Sequence, residues 1–150
     1  MAKKSFIHYV TKILVDVMFY GGILTTISLP FVMPLLVEAL GYSPGRITSY
    51  TVILMASGVC VIYILRQLKS MLKTLISGEP FVNKNVNCFR KCGVASFLIS
   101  IIYLIRIIMW FTFGSLLIVI IFALLGLFSL TLKDVFKQAV FYKEENDWTV

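Results

Sequence analysis

Residues 93–132 read GVASFLISIIYLIRIIMWFTFGSLLIVIIFALLGLFSLTL, and Arg106 is the only charged side chain among them. A membrane-spanning helix takes about 20 predominantly apolar residues. The stretch is therefore long enough for two passes, over residues 93–113 and 116–132, with Gly114 and Ser115 as the tight turn of a helical hairpin. Beyond it, Val135, Phe136, Ala139 and Val140 continue one apolar face to about Tyr142, before a short polar tail from Lys143 to Val150.

Upstream, Asn83 is placed to cap the helix that leads into the hairpin, with Phe81 and Val82 packing back on its first turn. Gly78 and Pro80 end the preceding helix. That helix starts with Ser43 as N-cap and Pro44 at its first position, crosses the membrane over residues 47–65, and continues through Arg66 to Ile76 as an amphipathic extension. Leu65, Leu68, Leu72 and Leu75 share one face of the extension; Arg66, Lys69 and Lys73 lie on another. The first span covers residues 13–40. Pro30 and Pro34 are expected to kink or end it, and Gly21 with Thr25 and Gly22 with Thr26 offer small packing surfaces. The N-terminal segment lacks a small-residue cleavage site and is read as retained.

Composition agrees with four spans. Hydrophobic residues make up 59% of the 150, charged residues only 14%, against about 25% in soluble domains. Mean hydropathy is +0.94. A soluble globular domain and a disordered chain are both excluded. The net charge of +7 is explained by topology rather than by nucleic acid. Twelve of the fourteen basic residues fall on one side of the four spans and Arg46 alone on the other, with Arg106 inside the membrane. The positive-inside rule then predicts an all-α polytopic protein of the bacterial cytoplasmic membrane, one domain over residues 1–150, with both termini and the helical extensions cytoplasmic.

Candidate functional residues are few. Arg106 lies eight residues from Gly114, roughly 12 Å deep, so it either reaches the outer interface or contacts protein or ligand inside the membrane. Asp16 is its possible counter-charge, although their depths differ by roughly 10 Å; Lys12, one turn before Asp16, is the alternative partner. Cys88 and Cys92 share a helix face, but with Cys60 and the single His8 they form no metal-ligand pattern. Both thiols are expected to report topology by labelling from the inner face alone. Ala123, Gly126 and Ser129 form a small-residue stripe on the fourth span, suited to close helix contact or, if turned to lipid, to a partner subunit. Catalytic residues, metal and cofactor are all expected to be absent: no nucleophile and base, carboxylate pair or phosphate loop is present in the sequence. Direct nucleic-acid binding is not expected either.

The loop Gly78, Glu79, Pro80, Phe81, with Asn85, Phe89, Arg90 and Gly93 after it, and the tail Glu144, Glu145, Asn146, Asp147, Trp148, Thr149, Val150, together resemble the YoaS-like family of small bacterial four-helix membrane proteins, a domain of unknown function. In that family a G-x-P-F loop ending in R-x-x-G precedes the third helix, and an E-N-D-L-T-V/I-like segment closes the chain. Trp148 stands here in place of the usual Leu. The resemblance implies a small membrane protein, often encoded beside a compact helix-turn-helix regulator, with no assigned activity. Phe81, Lys84, Arg90, Lys91, Glu144, Glu145 and Asp147 are accordingly the candidate partner-binding residues, with loop cations placed to meet tail carboxylates. The expected function is that of a non-enzymatic membrane regulator or sensor that binds a cytoplasmic partner, such as that regulator, or another membrane protein. Alternatives are an immunity protein against a membrane-active peptide, with the Arg106 region as its sensing face, and an accessory subunit of a transporter. The oligomeric state is left open.

Overall fold

A computed structural model describes residues 6–40 and 44–149. All regular structure among them is helical: α1 (Phe6–Leu40), α2 (Pro44–Ile76), α3 (Asn83–Met109) and α4 (Phe113–Trp148). Each of the four is long and apolar enough to cross a membrane. Ser43 and the terminal residues Lys3, Lys4 and Val150 lie outside the described residues, as does the side chain of Arg46.

Helix length sets the architecture. α1, α2 and α4 contain 35, 33 and 36 residues, or about 50 Å each at 1.5 Å per residue, against a hydrocarbon core of about 30 Å. The surplus projects beyond the apolar layer. Among the described residues, close backbone contacts join α1 with α2, α2 with α3 and α3 with α4, and no other pair, so the helices form a row with α1 and α4 at its edges. α3 is the best covered. Its buried positions, Asn85, Cys88, Cys92, Gly93, Ala95, Ser96, Ile99, Ser100 and Tyr103, form one helical stripe, and most are small, which lets neighbouring backbones approach.

Two glycines set the nearest approach of α3 and α4. A Cβ on Gly93 would lie 3.0 Å from Leu130 and 3.2 Å from the Gly126 carbonyl, and one on Gly126 would lie 3.0 Å from the Phe97 ring. The Ser100 hydroxyl donates to the Val119 carbonyl across the same interface at 3.1 Å. The small-residue stripe of α4 is thus used within the chain: Gly126 is buried and Ala123 and Ser129 are half-buried. Between α1 and α2, Thr26 packs against Gly58 and Gly22 meets Ile62. Gly21 has open space around it, and Thr25 is exposed, so only one of the two expected Gly/Thr pairs faces a helix.

Several boundaries differ from the sequence reading. α1 runs through both prolines to Leu40; each missing N–H removes one backbone bond, a loss the flanking apolar turns tolerate inside a long helix. The α3–α4 turn lies at Trp110–Thr112 rather than at Gly114 and Ser115. Trp110 and Thr112 adopt extended backbone, the Thr112 carbonyl accepts the Ser115 N–H at 3.0 Å, and Gly114 is already helical. Asn83 does not cap α3: Val82 occupies that position without a side-chain bond. Phe81 packs on Phe136 of α4, 5.6 Å between ring centroids, instead of on the first turn of α3. The acidic tail is helical to Trp148, since Lys and Glu favour helix and neither Gly nor Pro interrupts them. Along α4, Phe136, Ala139 and Val140 turn inward, while Val135 is exposed.

Candidate functional site

The end of the row where α2 passes into α3 carries the most developed polar and aromatic structure. α2 stops in a Schellman motif: the Glu79 N–H reaches the Thr74 carbonyl at 3.1 Å and the Gly78 N–H the Leu75 carbonyl at 3.2 Å. Gly78 has φ +87°, in the left-handed region that glycine enters without steric cost. The reversal brings Pro80 back over α3, where Asn85, only 2% exposed, holds it. The Asn85 amide donates to the Thr74 hydroxyl at 2.7 Å and to the Pro80 carbonyl at 2.7 Å. A single buried side chain thereby ties the end of α2, the loop and the start of α3 together.

Beneath this tie lies an apolar cavity of about 370 Å³, to which α1 contributes Thr11 and Val15, α2 Leu72 and Leu75, α3 Phe89 and α4 Phe136. Phe136 stacks on Phe89 at 4.8 Å as well as on Phe81, and the three rings join the loop, α3 and α4.

Around this core the predicted partner-binding residues are all exposed: Phe81 at 44%, with Lys84, Arg90, Lys91, Glu144, Glu145 and Asp147. Loop and tail do approach each other, but through the Asn83 amide, which donates to Glu144 Oε1 at 3.5 Å. No ion pair joins Lys84, Arg90 or Lys91 to Glu144, Glu145 or Asp147; the described salt bridges are Lys69–Asp16 and Lys133–Asp134. Arg90 and Lys91 instead border a second cavity of about 430 Å³ with Cys60 and Tyr63 of α2. Cys88 and Cys92 are each only 5% exposed, so neither can serve as the accessible thiol expected from the sequence.

The intramembrane candidates separate along the helix axes, Asp16 near the start of α1 and Arg106 near the end of α3. Asp16 pairs with neither Lys12 nor Arg106 but with Lys69 of α2, Oδ1 to Nζ 2.7 Å, and the same ammonium lies 5.3 Å from the Phe19 ring and 4.9 Å from the Tyr20 ring. Arg106 donates from Nη1 to the Ser115 hydroxyl, which is 1% exposed. Its guanidinium sits 4.8 Å from the Tyr50 ring and 5.9 Å from that of Tyr103, and Tyr50 in turn packs near Trp110 at 6.3 Å. Aromatic faces and a hydroxyl, rather than a carboxylate, surround this cation. Its Nε is buried without a hydrogen-bond partner.

Sequence reasoning missed two elements, the Lys69–Asp16 bridge and the Asn85–Thr74–Pro80 tie. Spacing along one helix cannot register the first, which crosses between helices. The second left a signal in Asn85, an amide among the small and apolar residues of the buried face of α3. Among the described residues no three His, Cys, Asp or Glu side chains cluster to hold a metal ion. A family model for proteins of unknown function, DUF2975, matches residues 23–150. No curated protein and no solved structure gives a significant match.

Proposed function

We propose, for a chain that belongs to the DUF2975 family, a non-enzymatic role as a membrane-embedded regulator whose projecting helix ends hold a cytoplasmic protein partner. One observation carries this reading: Phe81 of the loop and Lys84, Arg90 and Lys91 of the first half of α3 are each exposed, and among the described residues none of the three cations is paired with an acid. Exposed cations around an aromatic side chain suit a partner with an acidic rim and an apolar centre. The loop and tail motifs support the finer YoaS-like resemblance, and a small helix-turn-helix regulator, of the kind often encoded beside such proteins, is the partner we infer. The charge asymmetry along the chain supports an orientation with this surface and both termini on the cytoplasmic side of the bacterial membrane.

Crosslinked purification of the full chain from native membranes tests the reading. A stoichiometric companion is expected that is lost when Lys84, Arg90 and Lys91 are changed to Glu and kept when Arg106 is changed to Leu. If the companion survives the charge reversal, the surface is not its dock. The immunity alternative is favoured by the unbonded Nε of Arg106, and it is adopted if Arg106→Leu alone abolishes protection against a membrane-active peptide. The accessory-subunit alternative has less support, because Gly126 packs on Phe97 of the same chain.

A further inference from the structure

A second feature, distinct from the partner surface, lies between α1 and α2. Lys12, Lys69 and Lys73 line a cavity of about 290 Å³ with Val15, Leu72 and Ile76. Asp16, bound to Lys69 at 2.7 Å, is the carboxylate that answers them, so three ammonium groups and one carboxylate leave an excess of two positive charges. The cavity lies where the apolar run of α1 begins and that of α2 ends, the depth of lipid headgroups. The Phe19 and Tyr20 rings beside Lys69 are aromatics of the kind that settle at this level. Ile13, Val17, Tyr20 and Leu24 are exposed apolar residues on another face of the same helix, as expected where α1 borders lipid.

We propose that this cavity binds the phosphate of an anionic phospholipid, whose acyl chains extend into the adjoining bilayer. Lys12 and Lys73 contact the phosphate, while the charge of Lys69 is offset by Asp16. An anionic headgroup offsets part of the excess charge, whereas a zwitterionic one brings its own cation into a site that already holds three. The apolar lining favours an amphiphile over a free anion, since basic pockets between membrane helices recognise phosphate headgroups while their walls accept the lipid body.

Native mass spectrometry of the purified full-length protein tests this, with phosphatidylglycerol and phosphatidylcholine of identical acyl chains titrated separately and inorganic phosphate added in a third arm. Phosphatidylglycerol is expected to bind in preference. Lys12→Gln with Lys73→Gln should weaken its binding by about fivefold for each lysine, Lys12→Arg with Lys73→Arg should retain it, and Asp16→Asn, which removes the acid, should strengthen it. Helical circular dichroism and elution volume establish that each variant is folded. Equal binding of the two lipids, or retention of phosphatidylglycerol by the double Gln variant, overturns the proposal. Displacement of the lipid by an equal concentration of inorganic phosphate overturns it too, in favour of a soluble-anion site. If the double Gln variant does not fold, Asp16→Asn decides alone, and unchanged or weaker binding overturns the proposal.

Discussion

Replacing Asn85 by Ala should loosen the junction between α2 and α3 while leaving the spans in place. The Asn85 amide makes two hydrogen bonds at 2.7 Å from a side chain 2% exposed, each contributing about 1 kcal/mol net. After truncation the Thr74 hydroxyl still donates to the Met71 carbonyl at 2.7 Å, so the group left without a partner is the half-buried Pro80 carbonyl. Adding a fraction of its desolvation penalty gives a loss of about 2–3 kcal/mol, a 30- to 150-fold rise in the open fraction of the loop. Asn85→Asp should cost more, because an ionised carboxylate presents acceptors alone to the Pro80 carbonyl. Hydrogen exchange of the detergent-solubilised protein reads this locally: the Gly78, Glu79 and Asn85 amides bond to Leu75, Thr74 and Val82 carbonyls and should exchange faster by that factor, while those at the centre of α3 do not. Acceleration below about threefold for Asn85→Ala, or an Asp variant as well protected as the parent, would refute the claim that this amide closes the loop.

Other consequences can be checked in parallel. Gly126→Ala should destabilise the α3–α4 pair by about 1–3 kcal/mol through overpacking against Phe97, whereas Gly114→Ala, with open space around it, should be neutral within about 0.5 kcal/mol; denaturant titration in mixed micelles measures both. Lys69→Gln should cost more stability than the double change Lys69→Gln with Asp16→Asn, since the single variant leaves a half-buried carboxylate without its cation, and a double-mutant cycle in the same assay gives the coupling. Thiol labelling should be silent at Cys88 and Cys92 in the folded protein, while in a cysteine-free background Trp148→Cys, at a position 89% exposed, should label after the inner face is opened; labelling in intact cells would invert the topology.

The spans were readable because lipid imposes a crude requirement, some 20 apolar residues, that a hydropathy pattern meets or fails. The end of α2 was readable for a different reason: Gly78 and Pro80 act locally, through φ +87° and a missing N–H. The α3–α4 turn was displaced because glycine permits a turn without requiring one, and the extended backbone at Trp110 and Thr112 ends the helix at Met109 rather than at residue 113. Asn83 failed as a cap since Val82 already supplies the extended backbone there and the Asn83 amide turns to Glu144. Of the site, sequence indicated which cations cluster but not that they lack internal acids, since that depends on how α4 lies against α3. Lys69 counted toward topology only; its pairing with Asp16 depends on which face α1 turns to α2, information set by Gly22, Thr26 and Gly58 acting together.

The serial order of the helices bears on biogenesis. Every helix in the row touches the one synthesised just before it, so during translation each newly inserted segment finds its neighbour already in the bilayer, and no pairing must wait for a later one or be undone by it. The apolar cavity is the exception. Its wall includes Phe136 of α4 together with Thr11 of α1, residues from opposite ends of the chain, and it is therefore completed last. A nascent or truncated chain that lacks α4 would sit in the membrane with its first three helices paired and this chamber open.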